Sequence, residues 1–109
     1  MDIVDKVWGK EIIIVNCDKY CGKILVLDGG YVSSTHCHKV KQETFYCLSG
    51  ELELCVDGSN YSLISGDDPV TIYPNQYHWF SSVGGAEVLE ISTTHSDSDV
   101  YRLENSHAI

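Results

Sequence analysis

His36, His38, Glu43 and His78 are the residues whose types and spacing most plainly carry chemistry. The first three lie within Gly30-x5-His36-x-His38-x4-Glu43-x6-Gly50. His36 and His38 are two apart, so on a strand both imidazoles leave the same face. Glu43 and His78 join them if the sheet curls. Imidazoles and a carboxylate converging inside a curved sheet would hold one divalent transition metal (Mn, Fe, Zn, Ni or Co), with one or two positions open to water or substrate oxygens. The competing reading is a metal-free barrel whose histidines are hydrogen-bonded core residues. It is the costlier one, since unpaired titratable groups on an inward face cost on the order of several kcal/mol.

Two further residues could act on a bound molecule. Lys23 sits mid-strand in Gly22-Lys23-Ile24-Leu25-Val26-Leu27, sharing a face with Leu25 and Leu27. If that face is interior, Lys23 is a buried cation able to bind a substrate oxygen or phosphate, or to transfer a proton. The alternative is an edge lysine reaching solvent. Glu90 alternates with Leu89 and Ile91. Turned inward it is a second carboxylate and a candidate general base; turned outward it is a solvated side chain, the plainer reading. His95 reads as a surface residue, the alternative being a cap on the barrel mouth, and His107 falls in the tail and is assigned no role. Phe45 has the parity of Glu43 and should face inward, Tyr46 outward. Trp8, Tyr73, Tyr77, Trp79 and Phe80 read mainly as packing or rim residues, one of which would serve as a stacking wall for a sugar ring.

The elements that must position these residues are short strands. Glu11–Asn16, Gly22–Leu27, Tyr31–His38, Thr44–Leu48, Glu51–Val56, Asn60–Ile64, Val70–Tyr73, Trp79–Ser82 and Glu87–Thr93 are apolar or alternating runs separated by Gly, Asp, Asn and Ser. Ser49-Gly50 reads as a tight turn and Asp57-Gly58 as a hairpin turn. No window shows a sustained helical period; the helix candidates are a turn near the start and the tail after Thr94, whose last residues, Asn105–Ile109, should fray. Many short strands at regular spacing predict an all-β sandwich or barrel.

Composition narrows the function. The 109 residues amount to one domain, 1–109, with one core. The net charge of −9 argues against nucleic-acid binding, which needs a basic face. It leaves room for a small anion, because one lysine and one metal can dominate a cavity. Cys17, Cys21, Cys37, Cys47 and Cys55 are odd in number and form no CxxC, so they read as small hydrophobes in a reducing cytoplasm. Cys37 points away from the two histidines that flank it. The N-terminus has no basic start or apolar signal core, and no apolar run approaches a membrane span. A soluble cytoplasmic protein is expected.

The Gly30–Gly50 segment fits the first cupin motif, G-x5-H-x-H-x4-E-x6-G, without a gap. The second, G-x5-P-x-G-x2-H-x3-N, is matched in part. Gly66 opens it and His78 closes it, with one extra residue in Asp67-Asp68-Pro69-Val70, Tyr73 for Pro, Asn75 for Gly and Ser82 for Asn. Asn tolerates the left-handed turn position, so the turn can survive. Trp8-Gly9-Lys10-Glu11, Tyr20-Cys21-Gly22-Lys23, His38-Lys39-x-Lys41-x-Glu43-Thr44-Phe45-Tyr46 and Ile91-Ser92-Thr93-x-His95 extend the likeness. The chain resembles small single-domain cupins of the sugar isomerase type, grouped with mannose-6-phosphate isomerase-like and D-lyxose isomerase-like proteins.

That resemblance implies a jelly-roll (double-stranded β-helix) barrel with His36, His38, Glu43 and His78 as metal ligands. It implies an aldose–ketose isomerase for a sugar or sugar phosphate, working through an enediolate with Lys23 or Glu90 as the proton carrier. A non-catalytic sugar- or metabolite-binding cupin and an Fe(II)-dependent dioxygenase are the alternatives. Cupin barrels pair through a sheet edge or face, so a homodimer is expected, with Glu11–Val15 as the pairing strand.

Overall fold

Two curled antiparallel sheets share one long strand, and that strand explains the barrel. The computed structural model describes residues 1–109. Strand β6 (Glu43–Val56) runs for 14 residues through the expected Ser49-Gly50 turn. Its first half pairs with β10 (Ala86–Ser92) and β8 (Val70–Ile72). Its second half pairs with β7 (Ser59–Ile64) and β9 (His78–Ser82). The strand bends instead of turning back. A bulge at Leu48 shifts its register against β10, and such a bulge bends and twists the bulged strand. Gly50 follows with φ 73°, where a Cβ would lie 2.2 Å from the Gly85 carbonyl oxygen. Only glycine lets the two backbones approach this closely.

The first sheet runs β1 (Asp2–Lys6), β2 (Gly9–Asn16), β3 (Cys21–Leu27), β10, β6. In the second, β9 pairs with β4 (Tyr31–Val32) and β5 (Thr35–Cys37), so the expected single strand over Tyr31–His38 is two short ones. Asp57-Gly58 forms the expected hairpin turn, with φ 47° and 82°. No helix is long and apolar enough to cross a membrane.

Both ends of the chain depart from expectation. The start is a strand, β1, whose five residues are all exposed and which hydrogen-bonds to β2. Of the segment Glu11–Val15, residues Glu11 to Ile13 therefore lie between β1 and β3 and are not a free edge. The tail is ordered. A 3-10 turn, Asp97–Asp99, leads to β11 (Tyr101–Glu104), which pairs with β5, and then to β12 (His107–Ala108), which pairs with β4.

Alternation divides the interior lengthwise. Along β3 the buried residues are Cys21, Lys23, Leu25 and Leu27; along β10 they are Ala86, Val88, Glu90 and Ser92. The Leu27 and Ala86 end is filled by an apolar cluster with Trp8, Phe45, Leu52, Leu54 and Phe80. Trp8 and Phe80 meet edge to face at 5.0 Å, and Phe45 and Phe80 at 5.9 Å. At the opposite end the same inward positions carry charge.

Candidate metal centre

Three strands and one loop bring the four candidate ligands together. β5 presents His36, the chain leaves that strand at His38, β6 opens on Glu43, and β9 opens on His78. His36 and His78 are cross-strand partners with ring centroids 4.3 Å apart. One ligand atom from each of the four residues falls within 4.8 Å of the others. The turn before His78 survives its departures from the cupin motif because Asn75 takes the left-handed conformation, φ 70°. Its N–H donates to the His38 carbonyl at 2.6 Å, tying this turn to the other ligand loop.

Hydrogen bonds fix which nitrogen each ring offers. Nδ1 lies 2.8 Å from the Ser34 carbonyl in His36, 2.8 Å from the Asp99 carbonyl in His38 and 3.0 Å from the Gln76 carbonyl in His78. A carbonyl only accepts, so each Nδ1 carries the proton and each Nε2 turns a lone pair inward. Burial, with the His78 ring beside it, pushes the His36 imidazole down to about 3; burial also lowers His38. Both rings are neutral near pH 7.

His78 Nε2 then meets Glu43 Oε1 at 2.8 Å, and both atoms are buried without a hydrogen-bond partner. Two lone pairs cannot share that distance unless a cation lies between them; Lys41 serves the other carboxylate oxygen, Oε2. A divalent transition metal satisfies all four groups at once, and the imidazole and carboxylate donors suit it. The carbonyls on Nδ1 are the outer partners such ligands require.

Behind the ligands lies a buried ion network. Lys41 Nζ is 3.1 Å from Glu43 Oε2, 2.8 Å from Glu90 Oε2 and 3.1 Å from His95 Nδ1. Burial opposes its charge, but the two carboxylates outweigh burial and hold the ammonium above the usual lysine range. Burial would likewise raise Glu43; the Lys41 charge beside it keeps it an anion. Glu90 goes the other way. Burial and the neighbouring Glu43 push its carboxyl up, against Lys41 and Lys23.

Lys23 and Glu90 both face inward, 1% and 3% exposed, and are register partners on β3 and β10. Lys23 is no edge lysine; its Nζ meets Glu11 Oε1 at 3.4 Å. Glu90 is not on the solvated face. His95 is half-buried against Lys41 rather than a plain surface residue. His107 is exposed and distant in role, bonding only the Asn105 carbonyl. Trp8 and Phe80 line the cavity, while Tyr73 and Tyr77 are exposed.

Three contributors are new to the site. Lys41 has the strand parity of Glu43, a signal available in the sequence. Glu11 has the inward parity of Leu25 through the β2–β3 register. Asp99 had no signal: its carboxylate accepts the backbone N–H groups of Lys39, Val40 and Lys41, and its carbonyl holds His38. The tail thereby clamps the loop carrying His38 and Lys41.

The site opens through two connected chambers. An inner one of about 90 Å³ touches His36, His38, Glu43, Lys41, Glu90 and Trp8. An outer one of about 360 Å³ lies over it and shares Lys6, Glu11, Lys23, His95, Val100 and Arg102. The outer volume is in the range of small-molecule sites.

With this geometry the chain joins a known class. The family described as "Cupin domain" matches residues 23–92, and the protein belongs to the cupin family. It is 30% identical to a D-lyxose/D-mannose isomerase of Thermosediminibacter oceani, over 83% of this chain and 65% of that one. It is 30% identical to a D-lyxose ketol-isomerase of a Thermofilum species, over 90% of this chain and 71% of that one. The chain thus spans about two thirds of the length of these relatives. An RmlC-like cupin from Shewanella frigidimarina superposes with a TM-score of 0.79 at 20% identity, covering 89% of this chain and 86% of that one. That likeness shows the fold.

Proposed function

We propose that this cupin is a metal-dependent aldose–ketose isomerase acting on a sugar or sugar phosphate through an enediolate. The carrying observation is Glu90: a buried carboxyl of raised proton affinity, inside the cavity and joined through Lys41 to the ligand Glu43. A general base works best with its pKa near the operating pH, and burial moves a carboxyl that way. The isomerase names of the two relatives support the same reaction.

His36, His38, Glu43 and His78 would hold the metal, which when bound supplies a Lewis acid that polarises the sugar carbonyl. The chain does the rest. The edge-to-face pair Trp8 and Phe80 offers an apolar wall to the sugar's C–H face. Glu90 takes the proton from the carbon beside the carbonyl and returns it to the former carbonyl carbon. Lys41 and Ser92 both bond Glu90 Oε2, leaving Oε1 for that transfer. The Lys23 ammonium donates to a substrate oxygen, giving one oxygen a proton as the adjacent hydroxyl loses one.

The test is a panel of aldoses and aldose phosphates with metal-reconstituted protein in D2O. Conversion with solvent deuterium at the product carbon, and no oxygen consumed, is expected. Glu90→Gln should lower kcat about 10³-fold at unchanged metal content. Conversion of no aldose would overturn the reading: binding alone would leave a sugar-binding cupin, and oxygen uptake an Fe(II) dioxygenase.

We further infer a cytoplasmic homodimer. All five cysteines are free thiols, as a reducing compartment keeps them. The outer face of the first sheet carries one unbroken apolar row, Ile3, Ile12, Ile24, Leu89 and Tyr46, in cross-strand register. An apolar band of this kind favours a second copy over water.

A further inference from the structure

We infer that the substrate carries an anionic group, a phosphate monoester or a carboxylate, which binds Arg102 at the mouth of the cavity. The inference rests on the cavity being a sugar site and narrows what kind of sugar enters it. Arg102 is the only arginine of the chain. It stands on β11 directly across from the candidate ligand His36, so the two side chains leave the same face of the sheet. Residues paired in this way are about 5 Å apart at Cα. Arg102 lines both chambers.

Its charge has no partner in the protein. Lys6 and Lys23 share the one Glu11 carboxylate, and Lys41 lies between Glu43 and Glu90. Arg102 forms no ion pair, although the protein has a net charge of −9. The carboxylates at the mouth are occupied elsewhere: Glu11 lies 3.4 Å from Lys23, and Asp97 is engaged by His95 at 2.9 Å with its own side chain fully exposed. The Ser106 hydroxyl on the same wall accepts the Ser34 N–H at 2.9 Å and keeps its proton to donate. A planar guanidinium and a donating hydroxyl lining one cavity can both bind phosphate or carboxylate oxygens. A sugar whose carbonyl end lies at the four-ligand cluster would present its far end to this wall.

The experiment measures binding without turnover. Alditols cannot isomerise, so sorbitol, sorbitol 6-phosphate, gluconate and inorganic phosphate are titrated calorimetrically into the metal-loaded protein, Arg102→Gln and Arg102→Lys. A charged group should tighten binding at least ten-fold over sorbitol in the parent. Arg102→Gln should abolish that gain, Arg102→Lys should keep part of it, and affinity for sorbitol should be unchanged in both. Whichever of the phosphate and gluconate gains is larger names the anion. No gain in the parent, or a gain that survives Arg102→Gln, overturns the proposal. Should no alditol bind, the sugar reading fails, while inorganic phosphate binding lost in Arg102→Gln would still support the anion site and its absence would overturn that as well. Failure of the isomerase reading shows separately, as aldoses left unconverted.

Discussion

Lys41→Met removes the central cation of the buried network while keeping its length and volume. Lys41 Nζ serves Glu43 at 3.1 Å, Glu90 at 2.8 Å and His95 at 3.1 Å, and its side chain is 2% exposed. Removing one partner from a buried ion pair costs about 3–5 kcal/mol, because the remaining charge is stranded. Glu90 can escape part of that by taking a proton, which burial and Glu43 already favour. The cost in metal-free protein at pH 7 should therefore fall near the lower end, about 3 kcal/mol. At this chain length about 1 kcal/mol shifts Tm by ~4 °C, so Tm should drop about 12 °C. The sign of the pH dependence follows. In the variant Glu90 is held protonated more firmly folded than unfolded, so stability is lost as pH rises from the unfolded carboxylate range and regained as pH falls toward it. A divalent metal beside Glu43 would restore positive charge to the cluster, so the deficit should shrink on loading. Calorimetric melts at pH 5 and pH 8, with and without metal, decide it. A drop below about 4 °C in the metal-free protein, or one equal in all four conditions, would refute the reasoning.

Three other outcomes are expected. His36 is lowered from 6.5 to about 3, so the unfolded chain binds a proton the fold refuses; metal-free stability, complete above pH 6.5, should fall by about 1.4 kcal/mol per unit toward pH 3, and His36→Gln should flatten that slope in urea melts. Asp99→Ala frees three backbone N–H groups of the loop carrying His38; metal affinity by competition with a chromophoric chelator should weaken about 10- to 100-fold, as for other outer-shell partners. Ile24→Lys sets a charge in the middle of the apolar outer row, so sedimentation should give monomers where the parent gives dimers; a parent that is monomeric at all concentrations would contradict the dimer.

The strands and the clustering of His36, His38, Glu43 and His78 were legible because alternation and motif spacing are local. His36 and His38 share a parity, Glu43 and Phe45 share another, and curling brings them together. What escaped depended on contacts remote in the chain. β6 passes through Ser49-Gly50 because the Gly85–Ala86 backbone lies against Gly50, which no local pattern encodes. β11 buries nothing: Tyr101 and Leu103 are exposed, and so is Arg102, which lines the cavity mouth, so a hydrophobicity reading sees no strand. β1 has no buried residue and is held by its ladder with β2 alone. Lys23 and Glu90 were ambiguous because the same alternation serves either face; Lys41 then supplies the charge that makes an inward Glu90 tolerable.

The metal itself is the most direct measurement. Elemental analysis of protein purified without chelator and reconstituted in turn with Mn, Fe, Zn, Ni and Co, paired with X-ray absorption at the metal edge, reads both stoichiometry and ligands. One ion per chain is predicted, with imidazole nitrogens and a carboxylate oxygen at about 2.0–2.2 Å if the ion is zinc, and its loss in His78→Ala at preserved fold. Failure of all five metals to reach one equivalent, or an unchanged ligand shell in His78→Ala, would contradict the account.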